Sequence, residues 1–149
     1  MTKSATPDRP AVDVSLLILR AVVGVIFFAH GAQKLFGWFE GPGLAAMVEK
    51  MGPIGYLVSV GECLGGAGIV VGFLTRFSAA ANFVIMIGAI AMVHGKSGFF
   101  LAKGGYEYNL ALMGLLLPIV ILGPGRFSVG QFLPLPKSAA TGRPILVLD

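Results

Sequence analysis

Seven side chains in this sequence have the types and spacing to do chemistry: Arg20, His30, Lys34, Glu62, His94, Glu107 and Tyr108. Arg20, His30, Lys34 and Glu62 lie inside long apolar runs, where an ionisable group is costly unless it meets a partner or lines a polar site. At about 100° per residue, Arg20, Gly24, Phe27, His30, Gly31 and Lys34 share one face of a helix, while Val22, Val25, Ile26 and Ala29 occupy the other. Two cations, a histidine and two glycines on one stripe belong toward the interior of a bundle. Glu62 is the single acid within an apolar run, about 12 Å below the nearer membrane surface by helical rise. Arg20 and His30 are its two candidate partners. The group fits a buried ion pair that fixes helix register, and equally a polar pocket for a quinone headgroup or a proton step. The two readings are compatible.

His94 sits at the end of another apolar run, at a depth similar to that of His30, so the two could ligate a haem. Hydrogen bonds at the mouth of the bundle account for both histidines without one, and haem is disfavoured. Lys34, Glu107 and Tyr108 gather at the same rim. Glu107, at the start of a helix, also suits the macrodipole. Gln33 is off the polar stripe and interfacial. Asn82 is expected to hydrogen-bond between helices. The glycine-rich stretch Gly61–Gly66 imitates a phosphate loop, but it lies inside an apolar run where glycines serve packing. No nucleophile–base pair, dinucleotide fingerprint or iron–sulfur spacing appears. Cys63 is the lone cysteine, so there is no internal disulfide, CxxC pair or metal cluster, and no metal is expected.

The elements that must position these residues are apolar helices. The 149 residues are 56% hydrophobic and 12% charged, with a mean hydropathy of +0.86. Soluble domains hold about 25% charged residues, and a soluble fold of this size could not cover so much apolar surface. Lipid removes that difficulty. Runs long enough to cross a bilayer, or nearly so, occur over residues 14–36, 54–73, 77–93 and 108–122. The last contains Pro118, a site for a kink, and stops at Gly123-Pro124-Gly125. Gly61, Gly65, Gly68 and Gly72 form a small-residue ridge on the second span, positioned to admit the first helix closely. Leu44, Met47, Val48 and Met51 recur at helical spacing and predict a short interfacial helix between the first two spans. Phe99 and Phe100 are expected to dip into the headgroup layer.

The fold class is therefore all-α, a four-helix transmembrane bundle with a short interfacial helix. Residues 1–13 read as a polar cytoplasmic segment, 14–128 as the membrane domain and 129–149 as a flexible tail. The first run is too long for a signal-peptide core and is expected to remain as an anchor. The net charge of +4 is scattered, which excludes a nucleic-acid surface. Lys3, Arg9, Arg76, Arg126, Lys137 and Arg143 fall on the side of both termini. Lys50, Lys96 and Lys103 fall on the other, with Lys34 near that boundary. The bias places both termini in the cytoplasm of a cell whose inner membrane holds the chain.

One set of residues carries a resemblance. Leu19-Arg20, Gly24, Phe28, His30-Gly31 and Lys34-Leu35-Phe36 begin it, followed by Glu62 with Gly65-Gly66, and Gly72-Phe73-Leu74-Thr75-Arg76. His94, Glu107-Tyr108 and Gly123-Pro124-Gly125-Arg126-Phe127-Ser128 complete it. Together they resemble the DoxX family of four-helix bacterial membrane proteins. The resemblance implies membrane redox work: small subunits of quinone-linked oxidation, or membrane oxidoreductase complexes that handle oxidative and thiol stress. Without a CxxC, this chain departs from any direct dithiol role.

The preferred expectation is a membrane subunit of a quinone-linked oxidoreductase system, binding quinone or docking a redox partner, either another protein or a second copy of itself. Arg20, His30, Lys34 and Glu62 would line the polar site, with His94, Glu107 and Tyr108 at its mouth. The alternative is a structural or assembly protein whose ion pair only holds helices together. A small transporter ranks third, because four short helices carry few midplane polar groups and no internal repeat is evident.

Overall fold

A computed structural model describes residues 9–132. The outer parts of the expected termini, residues 1–8 and 133–149 with Lys3, Lys137 and Arg143, lie outside the described residues.

Among the described residues five α-helices follow one another: α1 (Arg9–Phe36), α2 (Gly43–Met51), α3 (Pro53–Val71), α4 (Thr75–Ala89) and α5 (Glu107–Leu122). A π-helical turn, Ile90–His94, and a 3-10 turn, Gly95–Ser97, extend α4, so that the apolar helical stretch reaches Ser97. Three helical stretches, beginning with α1, α3 and α4, are long and apolar enough to cross a membrane. The fourth, α5, is a shorter apolar helix of 16 residues. It spans about 24 Å at 1.5 Å per residue, and it runs on through Pro118. The architecture is an all-α membrane bundle, and no strand occurs among the described residues.

The surface matches that assignment. Leu57, Leu64, Val84 and Ile121 are each at least 65% exposed, a row of large aliphatic side chains that only lipid would cover at acceptable cost. The core is small and sits between α1, α3, α4 and α5, around Val23, Phe27, Ile69, Met86, Leu112, Leu116 and Ile119. With little hydrophobic drive between helices in lipid, close packing must hold α1 to α3. A Cβ on Gly31 would overlap the backbone of Cys63, and one on Gly24 would stand 2.6 Å from a Val70 methyl and 2.9 Å from the Gly66 carbonyl.

The glycine ridge on α3 packs differently from expectation. Gly61, Gly65 and Gly68 face Ile85, Asn82 and Ser78 of α4, and Gly72 meets Arg20 and Ser128. The residues of α3 that admit α1 are Gly66 and Cys63. A four-residue repeat marks a smooth stripe but does not say which neighbour rests on it, and α3 offers a small-residue stripe on each side.

Both termini of the bundle begin or end beyond the expected boundaries. Residues 9–13 already belong to α1, and Asp13 is buried, its Oδ1 accepting a hydrogen bond from the Arg126 backbone N–H at 3.0 Å. Val129–Phe132 form a 3-10 turn, and the Gly130 N–H donates to the Gly72 carbonyl at 3.0 Å. The segment after α5 is thus tied across the ends of α1 and α3 as far as residue 130.

Candidate functional site

The amphipathic helix α2 packs against α3 and α1. Its position is set by close backbone approach: a Cβ on Gly55 would stand 2.5 Å from the Met47 carbonyl, and one on Gly41 would stand 2.5 Å from that of Gln33. Beneath α2, between α3, α4 and the π-helical turn, is a cavity of about 540 Å³. Its walls are mostly apolar, with Met47, Met51, Leu57, Ile85 and Met92 among them, and it carries four polar groups: Lys34, Lys50, Glu62 and His94. That combination, a concave apolar space with a few converging polar groups, is the usual form of a small-molecule site.

The deepest polar feature is an ion pair. The Lys34 ammonium donates to Oε2 of Glu62, and Glu62 is buried while Lys34 keeps partial access. The partners expected for Glu62 were Arg20 or His30, and the structure corrects that. Lys34 lies one turn beyond Gly31 on α1, and Glu62 adjoins Cys63 on α3, so the closest point of helix contact brings these two side chains together. Arg20 is hydrogen-bonded seven residues further along α3, about 10 Å away by helical rise.

Arg20 is buried among backbone carbonyls. Its Nε donates to Ile69 O at 2.9 Å and Nη2 to Val70 O at 2.9 Å, while Nη1 reaches Pro124 O at 2.5 Å and Phe127 O at 2.8 Å. Ile69 and Val70 sit in the last turn of α3, where carbonyls lack helical partners and carry partial negative charge. Gly72 closes that turn in the left-handed region at φ +76°, its N–H and that of Phe73 both returning to Gly68 O. The planar guanidinium thus joins α1, the end of α3 and the segment after α5. Arg20 does not line the cavity.

His30 was expected on the inward face with Arg20, but it is exposed. Its direction is about 80° from that of Arg20 at 100° per residue, which carries it to the edge of the stripe. There it meets Tyr108 of α5, ring centroids 6.4 Å apart. Neither lines the cavity, and nor does Glu107, the first residue of α5, whose N–H donates to Phe99 O at 2.9 Å. His94 is held in the cavity wall by the π-helical turn, a departure from regular helix that recurs at functional sites. Its Nδ1 lies 2.9 Å from Gly104 O.

The structure therefore brings Lys34, Glu62 and His94 into one space and leaves Arg20, His30, Glu107 and Tyr108 outside it. Sequence reasoning passed over Lys50, read only as a topology charge, and Asp13, placed in a polar tail. Asp13 could have been found, since it stands seven residues before Arg20 and so on the same helical face. Among the described residues no cluster of His, Cys, Asp and Glu could hold a metal.

Comparison with known proteins gives one family. The DoxX family model matches residues 15–95. The chain is similar to "Inner membrane protein YqjF" of Escherichia coli, 30% identical over 81% of this chain and 93% of that one. It is also similar to a Bacillus subtilis protein named "Putative oxidoreductase CatD", 28% identical over 72% of this chain and 79% of the relative. An uncharacterized membrane protein of Mycobacterium tuberculosis is 27% identical over 96% of this chain and 99% of its own length. No solved structure matches the chain.

Proposed function

The chain belongs to the DoxX family of membrane proteins, and from that premise we propose that it is a membrane subunit of a quinone-linked oxidoreductase system, with the cavity beneath α2 as its quinone site. The observation that carries this reading is the placing of Lys34, Glu62 and His94 in a largely apolar space of about 540 Å³. A quinone has an apolar ring and tail and oxygens that accept hydrogen bonds. The donor set fits it: Lys34 has three N–H donors, one engaged by Glu62, and Lys50 is a second ammonium in the lining. The apolar walls suit the ring. A bound quinone would supply two-electron redox chemistry. The chain's own residues would hold its oxygens, keep the Glu62 charge paired and exclude bulk water. The name of the Bacillus subtilis relative supports the oxidoreductase part of the reading.

In this reading the protein is multi-pass in the cell membrane with both termini cytoplasmic, and α2 and the cavity lie toward the outer face. It works beside a redox-protein partner or a second copy of itself. Purification in mild detergent, followed by titration with decylubiquinone and extraction of co-purifying quinone, tests the site. Saturable binding that is lost when Gly88, which lines the cavity with open space before it, is replaced by Phe is expected. A folded protein with no quinone affinity, co-purifying with a stable protein partner, would favour the assembly reading. The register-fixing Lys34–Glu62 pair is the observation on which that second reading stands.

A further inference from the structure

Besides two lysines and Glu62, the cavity holds one polar side chain, His94, and its hydrogen bond fixes which ring nitrogen donates. His94 Nδ1 lies 2.9 Å from the Gly104 carbonyl oxygen, and a carbonyl oxygen can only accept. Nδ1 therefore carries the proton, and in the neutral ring Nε2 is the nitrogen with the lone pair. Two irregular segments hold this arrangement: the π-helical turn Ile90–His94 presents the imidazole, and Gly104 ends the 3-10 turn Leu101–Lys103 with its N–H on Leu101 O at 2.7 Å. Among the described residues nothing donates to Nε2, while His94 lines the same cavity as Lys34, Lys50 and Glu62.

The other polar groups of that lining have different roles. Lys34 and Lys50 are ammonium groups and only donate, while the Glu62 carboxylate, its side chain 2% exposed, gives Oε2 to Lys34 and keeps Oε1 as a further acceptor. His94 is the less buried of the two acceptor residues, and Nε2 is its open nitrogen. We infer that Nε2 of His94 accepts a hydrogen bond from a ligand hydroxyl, and that the cavity consequently prefers the dihydroxy, hydroquinone form of a quinone-type ring over the oxidised form. A hydroquinone offers an O–H to Nε2 and oxygen lone pairs to the lysine ammonium groups. The oxidised ring brings only acceptors and sets a carbonyl oxygen against the imidazole lone pair, leaving both without a donor. Sites built around a ligand hydroxyl discriminate strongly against analogues that lack it. This rests on the quinone reading of the cavity, and it makes His94 the residue that selects redox state.

The test is anaerobic titration of the detergent-purified protein with decylubiquinol, decylubiquinone and the dimethyl ether of the hydroquinone. The hydroquinone should bind about tenfold more tightly than either of the others, equivalent to about 1.4 kcal/mol. In His94→Asn the side-chain amide can still donate to Gly104 O but offers no Nε2. The preference should vanish there while binding of the oxidised ring persists and the melting temperature holds. The dimethyl ether keeps the test independent of that variant's folding, because the comparison is made on the wild-type protein. Equal affinity for the oxidised and reduced rings, or a preference retained in His94→Asn, overturns the inference and leaves the quinone site standing. Binding of neither ring overturns both.

Discussion

Gly31 of α1 rests against the backbone of Cys63 of α3 so closely that a single methyl group on Gly31 would overlap it. This contact fixes how α1 and α3 slide past each other. Three residues beyond Gly31 is Lys34, and beside Cys63 is Glu62, so the packing of a glycine decides which cation reaches the buried acid.

Gly31→Ala should therefore destabilise the bundle, although alanine is the better helix former. The propensity gain is about 1 kcal/mol, whereas overpacking a rigid contact costs about 1–3 kcal/mol, and here the obstacle is backbone. A net loss is expected in thermal melting in detergent. Gly114→Ala is the control: Gly114 sits inside α5 with open space around it, so the same substitution should stabilise by a few tenths to about 1 kcal/mol. Equal effects at the two positions would mean that α1 and α3 are not in backbone contact at Gly31.

Arg20→Lys should loosen the segment after α5. The guanidinium reaches four carbonyls from three donor nitrogens, and an ammonium on a flexible stem cannot reproduce that fork. A loss of about 2–3 kcal/mol is expected from orphaned buried carbonyls. Amide hydrogen exchange is the informative readout, because the N–H groups of Arg126 and Gly130 are tied down at this junction and should lose protection before the core of α3 does.

Much of the fold was legible in the sequence because lipid imposes few solutions. The apolar runs gave the helices, and Leu44, Met47, Val48 and Met51 marked α2. The site was less legible. Periodicity places residues on a face but not at an angle to a particular neighbour, so the stripe that joined Arg20, His30 and Lys34 did not say which of them Glu62 would meet. The four backbone carbonyls that Arg20 reaches at the end of α3 and after α5 leave no mark in sequence. The π-helical turn that presents His94 follows from no residue type in Ile90–His94.

The orientation has a direct test, since Cys63 is buried and is the sole cysteine of the sequence, which keeps the background low. Ala102 and Phe132 are exposed at segments assigned to opposite sides. In intact cells an impermeant thiol reagent should label Ala102→Cys, and it should label Phe132→Cys only after the membrane is permeabilised. The reverse pattern would put the cavity end of the bundle on the cytoplasmic side.

The last prediction separates structure from ligand binding at the Lys34–Glu62 pair. Lys34→Met leaves a buried carboxylate without its cation, and removing one member of a buried pair costs about 3–5 kcal/mol. Glu62→Gln should cost less, because Lys34 remains 25% exposed and its long stem can carry the ammonium outward. The double variant leaves no stranded charge, so it should be more stable than Lys34→Met alone, and melting of all four proteins yields the coupling. Arg20→Gln combined with Glu62→Gln should instead be nearly additive, since the two positions act about 10 Å apart. If Lys34 also holds a ring oxygen in the cavity, the Lys34→Met/Glu62→Gln protein will melt normally yet bind decylubiquinone more weakly than wild type. Recovered stability with undiminished affinity would make the pair a register lock alone, and the holding of the oxidised ring would then fall to Lys50.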